Sequence, residues 1–308
     1  MNTQLASGTT ALDPATRVGL LSLAVANLER SVIFYRDALG FAVLERGDSQ
    51  ATLGAGDTPL LLLTEEPGAT PWPHDRQSFT GLYHFAILVP TRADLGRWLQ
   101  HWLELGFPLP GQGDHLVSEA LYLSDPDGNG IEVYRDRPRS EWRWVNGTVQ
   151  MAADPVDIRG VLEEAQRAGQ PWTGMAPGTR LGHMHLQVGD IPQAEGFYHG
   201  VLGFDIVARM PSALFVSAGG YHHHIGMNTW HSRGAGPAPA GFAGLRFFTI
   251  ESPTEEARAN LVARVRAAGL EAREHDGVVA IDDPWQNTIL LTVGTADTKA
   301  VPALRAAE

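Results

Sequence analysis

The chain repeats itself, and that constrains its fold more than any other feature does. Ser22-Leu23-Ala24-Val25 leads to Phe34-Tyr35 and then to Leu39-Gly40-Phe41. His185-Leu186-Gln187-Val188 leads to Phe197-Tyr198 and then to Leu202-Gly203-Phe204, with every member offset by 163 residues. Each copy reads as a strand of alternating apolar residues, a polar break at Asn27 or Asp190, a helix, and a strand after a glycine. Two weaker copies complete the set. His84-Phe85-Ala86-Ile87 leads through Leu95–Leu105 to Gly106-Phe107, and Arg246-Phe247-Phe248 leads through Glu255–Ala268 to Gly269-Leu270. Asp125-Pro126-Asp127-Gly128-Asn129 is answered by Asp283-Pro284-Trp285-Gln286-Asn287, which we read as tight turns and nothing more.

The repeats predict an α+β chain of four βαβββ units, at about 17–65, 80–136, 181–230 and 243–295. They group into halves at 17–136 and 181–297, joined by a segment over 137–178. Trp142, Trp144 and Trp172 make that segment one that packs, because tryptophans are costly to leave in water. One unit cannot bury its own sheet. Paired units can curl theirs around a shared concave surface that holds a ligand.

Composition narrows the function. The 308 residues are 44% hydrophobic and 19% charged, enough for a full core. A net charge of −12 disfavours nucleic acid and anionic membrane surfaces, which both need a basic footprint. With no cysteine there can be no disulfide, thiolate nucleophile, iron–sulfur cluster or cysteine-ligated zinc. Met1 to Arg17 is polar and reads as a frayed tail rather than a signal peptide. No apolar run reaches the roughly 18 residues of a membrane span. The expectation is a cytoplasmic protein, with a homo-oligomer plausible from its exposed sheet edges.

Comparing the units locates the chemistry. The first-strand position holds Ser22, His84, His185 and Arg246. The last-strand position holds about Leu60, Glu132, His223 or His224, and Leu290. Only units two and three offer metal ligands, so His84, Glu132 and His185 converge if those two units share a barrel. Two imidazoles and a carboxylate on one face suit non-haem Fe(II), although Mn(II), Ni(II) or Zn(II) can use similar ligands. His183 is expected to face away from His185 and is left out of the set. Of Tyr221-His222-His223-His224, at most two histidines can point inward. No G-x-x-x-x-G-K-[ST] phosphate loop and no G-x-S-x-G elbow occurs.

These residues resemble the vicinal oxygen chelate superfamily, which includes glyoxalase I, resistance proteins and type I extradiol dioxygenases. The likeness spans about 17–295, and four units favour the dioxygenases. The stretches Asp114–Tyr122, Asp125–Glu132, Gly182–His185 and Gly220–Gly226 are similar to the bacterial catechol-2,3-dioxygenase group. The resemblance implies His84, His185 and Glu132 as ligands of Fe(II), or of Mn(II). It implies His223 as the acid–base residue, with His224 one register slip away. It also implies Tyr122 and His115 as groups near substrate oxygen. The implied reaction is cleavage of a catechol ring by dioxygen beside its hydroxyls. Well-studied extradiol enzymes draw the whole site from units three and four; here unit four holds Arg246 and Leu290, so either units two and three pair or the chain has lost a full site, and the first option, which fills every implied role, is preferred. The alternatives are a redox-neutral metal enzyme of glyoxalase or transferase type, and a non-enzymatic small-molecule-binding protein.

Overall fold

The computed structural model describes residues 11–72, 79–275, 277–296 and 298. Unit one comprises β1 (Arg17–Val25), α1 (Leu28–Ile33), β2 (Ala42–Arg46), β3 (Gln50–Ala55) and β4 (Thr58–Glu65). Unit two comprises β5 (Gly81–Leu88), α2 (Arg92–Glu104), β6 (Gly111–Asp114), β7 (Ser118–Ser124) and β8 (Gly130–Asp136). The joining segment carries a small hairpin, β9 (Trp144–Val145) and β10 (Thr148–Val149), and α3 (Ile158–Ala168). Unit three comprises β11 (Arg180–Gln187), α4 (Ile191–Glu195), β12 (Asp205–Met210), β13 (Ala213–Ser217) and β14 (Ile225–Asn228). Unit four comprises β15 (Gly244–Ser252), α5 (Glu255–Ala267), β16 (Arg273–His275), β17 (Val278–Asp282) and β18 (Thr288–Val293).

The local reasons for these elements repeat with the sequence. Each unit's helix opens on a side-chain cap that satisfies a free backbone N–H. Asn27 accepts from the Arg30 N–H, Thr91 from Asp94, Asp190 from Gln193, and Thr254 from Ala257. Gly40 and Gly203 follow the first and third helical segments at φ +82° and +89°, which a side chain rarely adopts. The Phe-Tyr motif acts with the Asp-Pro turns. The Tyr35 hydroxyl donates to Asp125 Oδ2 and that of Tyr198 to Asp283 Oδ2, each at 2.8 Å. The turns are therefore structural, as read, and buried tyrosines of units one and three anchor those of units two and four.

Two eight-stranded sheets result, and neither is built from one sequence half. The first runs β16-β17-β18-β15-β1-β4-β3-β2 and joins units four and one. The second runs β12-β13-β14-β11-β5-β8-β7-β6 and joins units three and two. At the second seam β5 and β11 run antiparallel, with His185 opposite His84 and His183 opposite Ala86. The two seams match by register, since β1 and β15 place Ser22 opposite Phe247. Strand alternation gives every sheet two faces. Leu21, Leu23, Phe85, Met184 and Phe248 face the common core, together with Trp98 and Leu99 of α2. The opposite face of each sheet curls around its own interior.

The joining segment packs unevenly. Trp142 is buried and Trp172 stacks on His101, whereas Trp144 is 41% exposed. Of the start of the chain, residues 1–10 lie outside the described residues. Leu12 is already docked in the core, its N–H on the Gly203 carbonyl, so the chain is tied down five residues before β1 begins.

Candidate metal centre

The second sheet curls around a cavity of about 650 Å³, and the titratable groups of units two and three meet at its wall. His84 on β5, Glu132 on β8 and His183 on β11 are all buried, and their ligand atoms lie within 4.8 Å of one another. His84 Nε2 and His183 Nε2 each stand 3.1 Å from the same oxygen, Glu132 Oε2. Register explains the convergence. Ala86 pairs with Glu132 on one side and His183 on the other, and its methyl leaves room for both side chains to reach over it. His84 Nε2 makes no well-aligned hydrogen bond although it is buried, and neither does His183 Nδ1. Two buried imidazole nitrogens aimed at one buried carboxylate oxygen, one of them without a hydrogen bond, fit a divalent cation with room for further ligands.

The electrostatics agree with that donor set. Burial pushes the Glu132 carboxyl up, but the His183 and His84 imidazoles beside it more than offset this and hold it well below its ordinary value. Burial pushes the His84 imidazole down, opposed in part by Glu132. The site at neutral pH is an ionised carboxylate beside a neutral His84, which is the state a metal needs.

His185 lines the same cavity but is engaged otherwise. Asn228 Oδ1 accepts the Trp230 backbone N–H, which turns the Asn228 amide nitrogen toward His185 Nε2 at 3.1 Å. That nitrogen is thus an acceptor in use, and His183 completes the three-donor group where the sequence pointed to His185. The expectation that His183 faces away is incorrect. Residues two apart on a strand share a face, and β11 puts both rings into the cavity. The equivalence of His84 with His185 is off by two residues. His84 and His183 each lie eight residues before the first residue of the following helix, Arg92 and Ile191. Counting back from the helix starts would have matched them.

The other expected residues also line the cavity. His115 Nδ1 lies 2.7 Å from the Ala152 carbonyl, which can only accept, so the ring proton sits on Nδ1. His115 Nε2 then accepts from the Tyr122 hydroxyl at 2.6 Å, and the lone pairs of the Tyr122 oxygen remain for the cavity. Gly113 leaves space for the His115 ring, since a Cβ there would lie 2.8 Å from Cε1. Burial, and then the Glu132 charge, push the Tyr122 hydroxyl well above its ordinary value, so it keeps its proton. His223 lines the cavity beside His183, with ring centroids 4.1 Å apart. Burial and the neighbouring imidazoles push it well down. His224 is turned away. Its Nδ1 accepts from the Ala218 N–H, and burial first of all pushes its pKa down to about 3. Tyr83, Phe215 and Trp230 add aromatic rings to the cavity lining.

The sequence profile of the glyoxalase/bleomycin resistance protein/dioxygenase superfamily matches residues 17–133 and 180–291. The chain belongs to that superfamily. The catechol-2,3-dioxygenase of Bacillus subtilis (strain 168) is 48% identical over 279 residues, covering 89% of this chain and 96% of the relative. Among solved structures, a protein of Bacillus subtilis subsp. subtilis str. 168 has a TM-score of 0.60 at 12% identity, over 92% of this chain and 86% of its own. Glyoxalase I from Zea mays has a TM-score of 0.53 at 15% identity, over 95% of each chain. At those identities the structures speak for the fold alone: a superfamily chain with two curved sheets. Among the described residues no helix is long and apolar enough to cross a membrane.

Proposed function

We propose that this protein is an extradiol dioxygenase that cleaves a catechol ring with dioxygen at a mononuclear Fe(II) or Mn(II) site. The observation that carries the reading is the convergence of His84, Glu132 and His183 at the wall of a cavity that His223 and Tyr122 also line. The 48% identity to a protein named catechol-2,3-dioxygenase supports it. We assign the metal to His84, Glu132 and His183, and leave His185 as a wall residue beside them. When bound, a divalent metal supplies Lewis acidity toward the diol oxygens and a path for electrons to dioxygen.

The rest of the chemistry belongs to the chain. Two neutral imidazoles and one carboxylate cancel one unit of the metal's charge and leave coordination positions for small ligands. The Tyr122 oxygen, its own proton committed to His115, accepts a hydrogen bond from a diol hydroxyl and sets the ring's orientation. His223 takes up and returns the proton that the diol releases as the ring binds and reacts. A neutral imidazole with a pKa below the working pH serves as an acceptor at that point. Tyr83, Phe215 and Trp230 hold the ring face and keep water off it.

The test is oxygen uptake by anaerobically purified protein, loaded with Fe(II) or Mn(II) and mixed with catechol. Stoichiometric uptake with a yellow ring-fission product is expected. Bound metal without uptake would replace this reading by a redox-neutral enzyme, and absence of bound metal would replace it by a binding protein.

A further inference from the structure

We propose that Asp136 and His222 are positioning residues for His223. They hold its ring in one tautomer, with the proton on Nδ1 and the lone pair of Nε2 left to the cavity. The proposal rests on the reading of the cavity as an extradiol site, where His223 handles the proton.

The hydrogen-bond directions follow from the partners. His222 Nε2 lies 2.9 Å from Asp136 Oδ1. A carboxylate only accepts, so this nitrogen carries a proton, and our assignment gives the ring no other. His222 Nδ1 is then an acceptor. Its partner, 2.9 Å away, is His223 Nδ1, which must therefore donate. A neutral His223 has no second proton, and Nε2 is left as a free acceptor on a ring that lines the cavity. The tautomer is thus set two groups away, at a carboxylate.

The surroundings keep that carboxylate an acceptor and that ring in place. The Tyr221 hydroxyl donates to the same Asp136 Oδ1 at 3.1 Å. Having spent its proton there, Tyr221 accepts from the Tyr134 hydroxyl at 2.7 Å. Tyr221, Trp142 and Tyr134 surround His222, with ring centroids at 4.2, 5.2 and 6.1 Å. His222 itself is fully buried, so water does not compete for its nitrogens. Asp136 lies on β8, four residues beyond Glu132 and on the same face. One strand therefore supplies both the proposed metal carboxylate and the group that aims the proton acceptor. The arrangement answers that of Tyr122, whose hydroxyl is aimed by His115 and the Ala152 carbonyl. Both polar groups present acceptors, which complements a vicinal diol arriving with two hydroxyl protons.

The experiment reads the ring nitrogens directly. Full-length, metal-free protein labelled with 15N-histidine is examined at neutral pH by long-range 15N–1H correlation. Wild type is expected to show His223 protonated at Nδ1 only and His222 at Nε2 only. In His222→Phe, which keeps the ring packing, His223 is expected to populate both tautomers. With Fe(II) and catechol the same variant is expected to lose about 10- to 100-fold in kcat, with metal content and KM unchanged. Asp136→Leu, at a side chain 24% exposed, repeats the test without altering the buried ring. A wild-type His223 protonated at Nε2, or a single unchanged tautomer with unchanged kcat in both variants, overturns the proposal. Should the protein prove inactive toward every catechol, the proposed function fails while the ring spectra still decide the tautomer.

Discussion

The two sheets are alternative uses of one framework. Register makes their interior positions correspond. In the second sheet these hold His84, Glu132, His183 and Gly226; in the first they hold Phe247, Leu290, Leu20 and Leu62. The four residues of the first sheet all belong to one buried apolar cluster, closed by Val278, Ala280 and Ala296. The second sheet leaves a cavity and surrounds it with buried polar groups. The framework is therefore neutral toward function. Apolar side chains at four positions fill one curl and stabilise it, whereas imidazoles, a carboxylate and a glycine open the other at a cost in desolvation that a bound cation offsets.

The sharpest break of this contrast is Glu132→Ala. It should abolish tight metal binding and activity, measured by metal content after gel filtration and by oxygen uptake. Added Fe(II) or Mn(II) should raise the Tm of wild type, since a ligand bound only to the folded state stabilises it by about 2.7 kcal/mol at a hundredfold excess over Kd. The same additions should leave Glu132→Ala unmoved. A metal-dependent Tm in that variant would remove Glu132 from the site.

Next in size is the comparison of His183→Ala with His185→Ala. The first should weaken metal binding by at least about 100-fold and the second by less than about 10-fold, by competition with a chromophoric chelator. The reverse order would return the ligand role to His185 and would mean that the Asn228 hydrogen bond gives way when metal binds.

The mirror experiment belongs to the first sheet. Leu290→Ala, at the position equivalent to Glu132, should cost about 2–5 kcal/mol in urea unfolding, as buried leucines do. It should leave metal affinity and KM unchanged. A change in metal affinity would show that the two sheets are coupled rather than independent uses of the framework.

How far the sequence reached can be judged residue by residue. The four units were legible from their repeats, and the pairing of two with three from ligand-type residues that occur only there. His84 and Glu132 followed from the same comparison. His183 was left out because it was expected to face away from His185, whereas residues two apart on a strand share a face; the helix caps at Thr91 and Asp190 fix the register that matches it with His84. The choice of His223 over His224 was not legible, because three consecutive histidines leave a strand's regular alternation just before β14. Nor were the hydrogen bonds to Asp136 and Ala152. They join groups 86 and 37 residues apart, and only the folded chain brings them together.

The smallest expected effect is that of Tyr122→Phe, and it separates orientation from binding. The change removes one hydroxyl from the cavity wall and leaves the ring in place. His115 Nε2 loses its donor but faces the cavity, where water can replace it. Metal content should therefore be unchanged. If the Tyr122 oxygen orients the diol, kcat should fall about 10-fold, equivalent to about 1.4 kcal/mol, with a smaller change in KM. An equal rise in KM at constant kcat would make Tyr122 a binding group only. No change in either would place the diol against the opposite wall, near His185 and Asn228, and would require a different orientation of the ring at the metal.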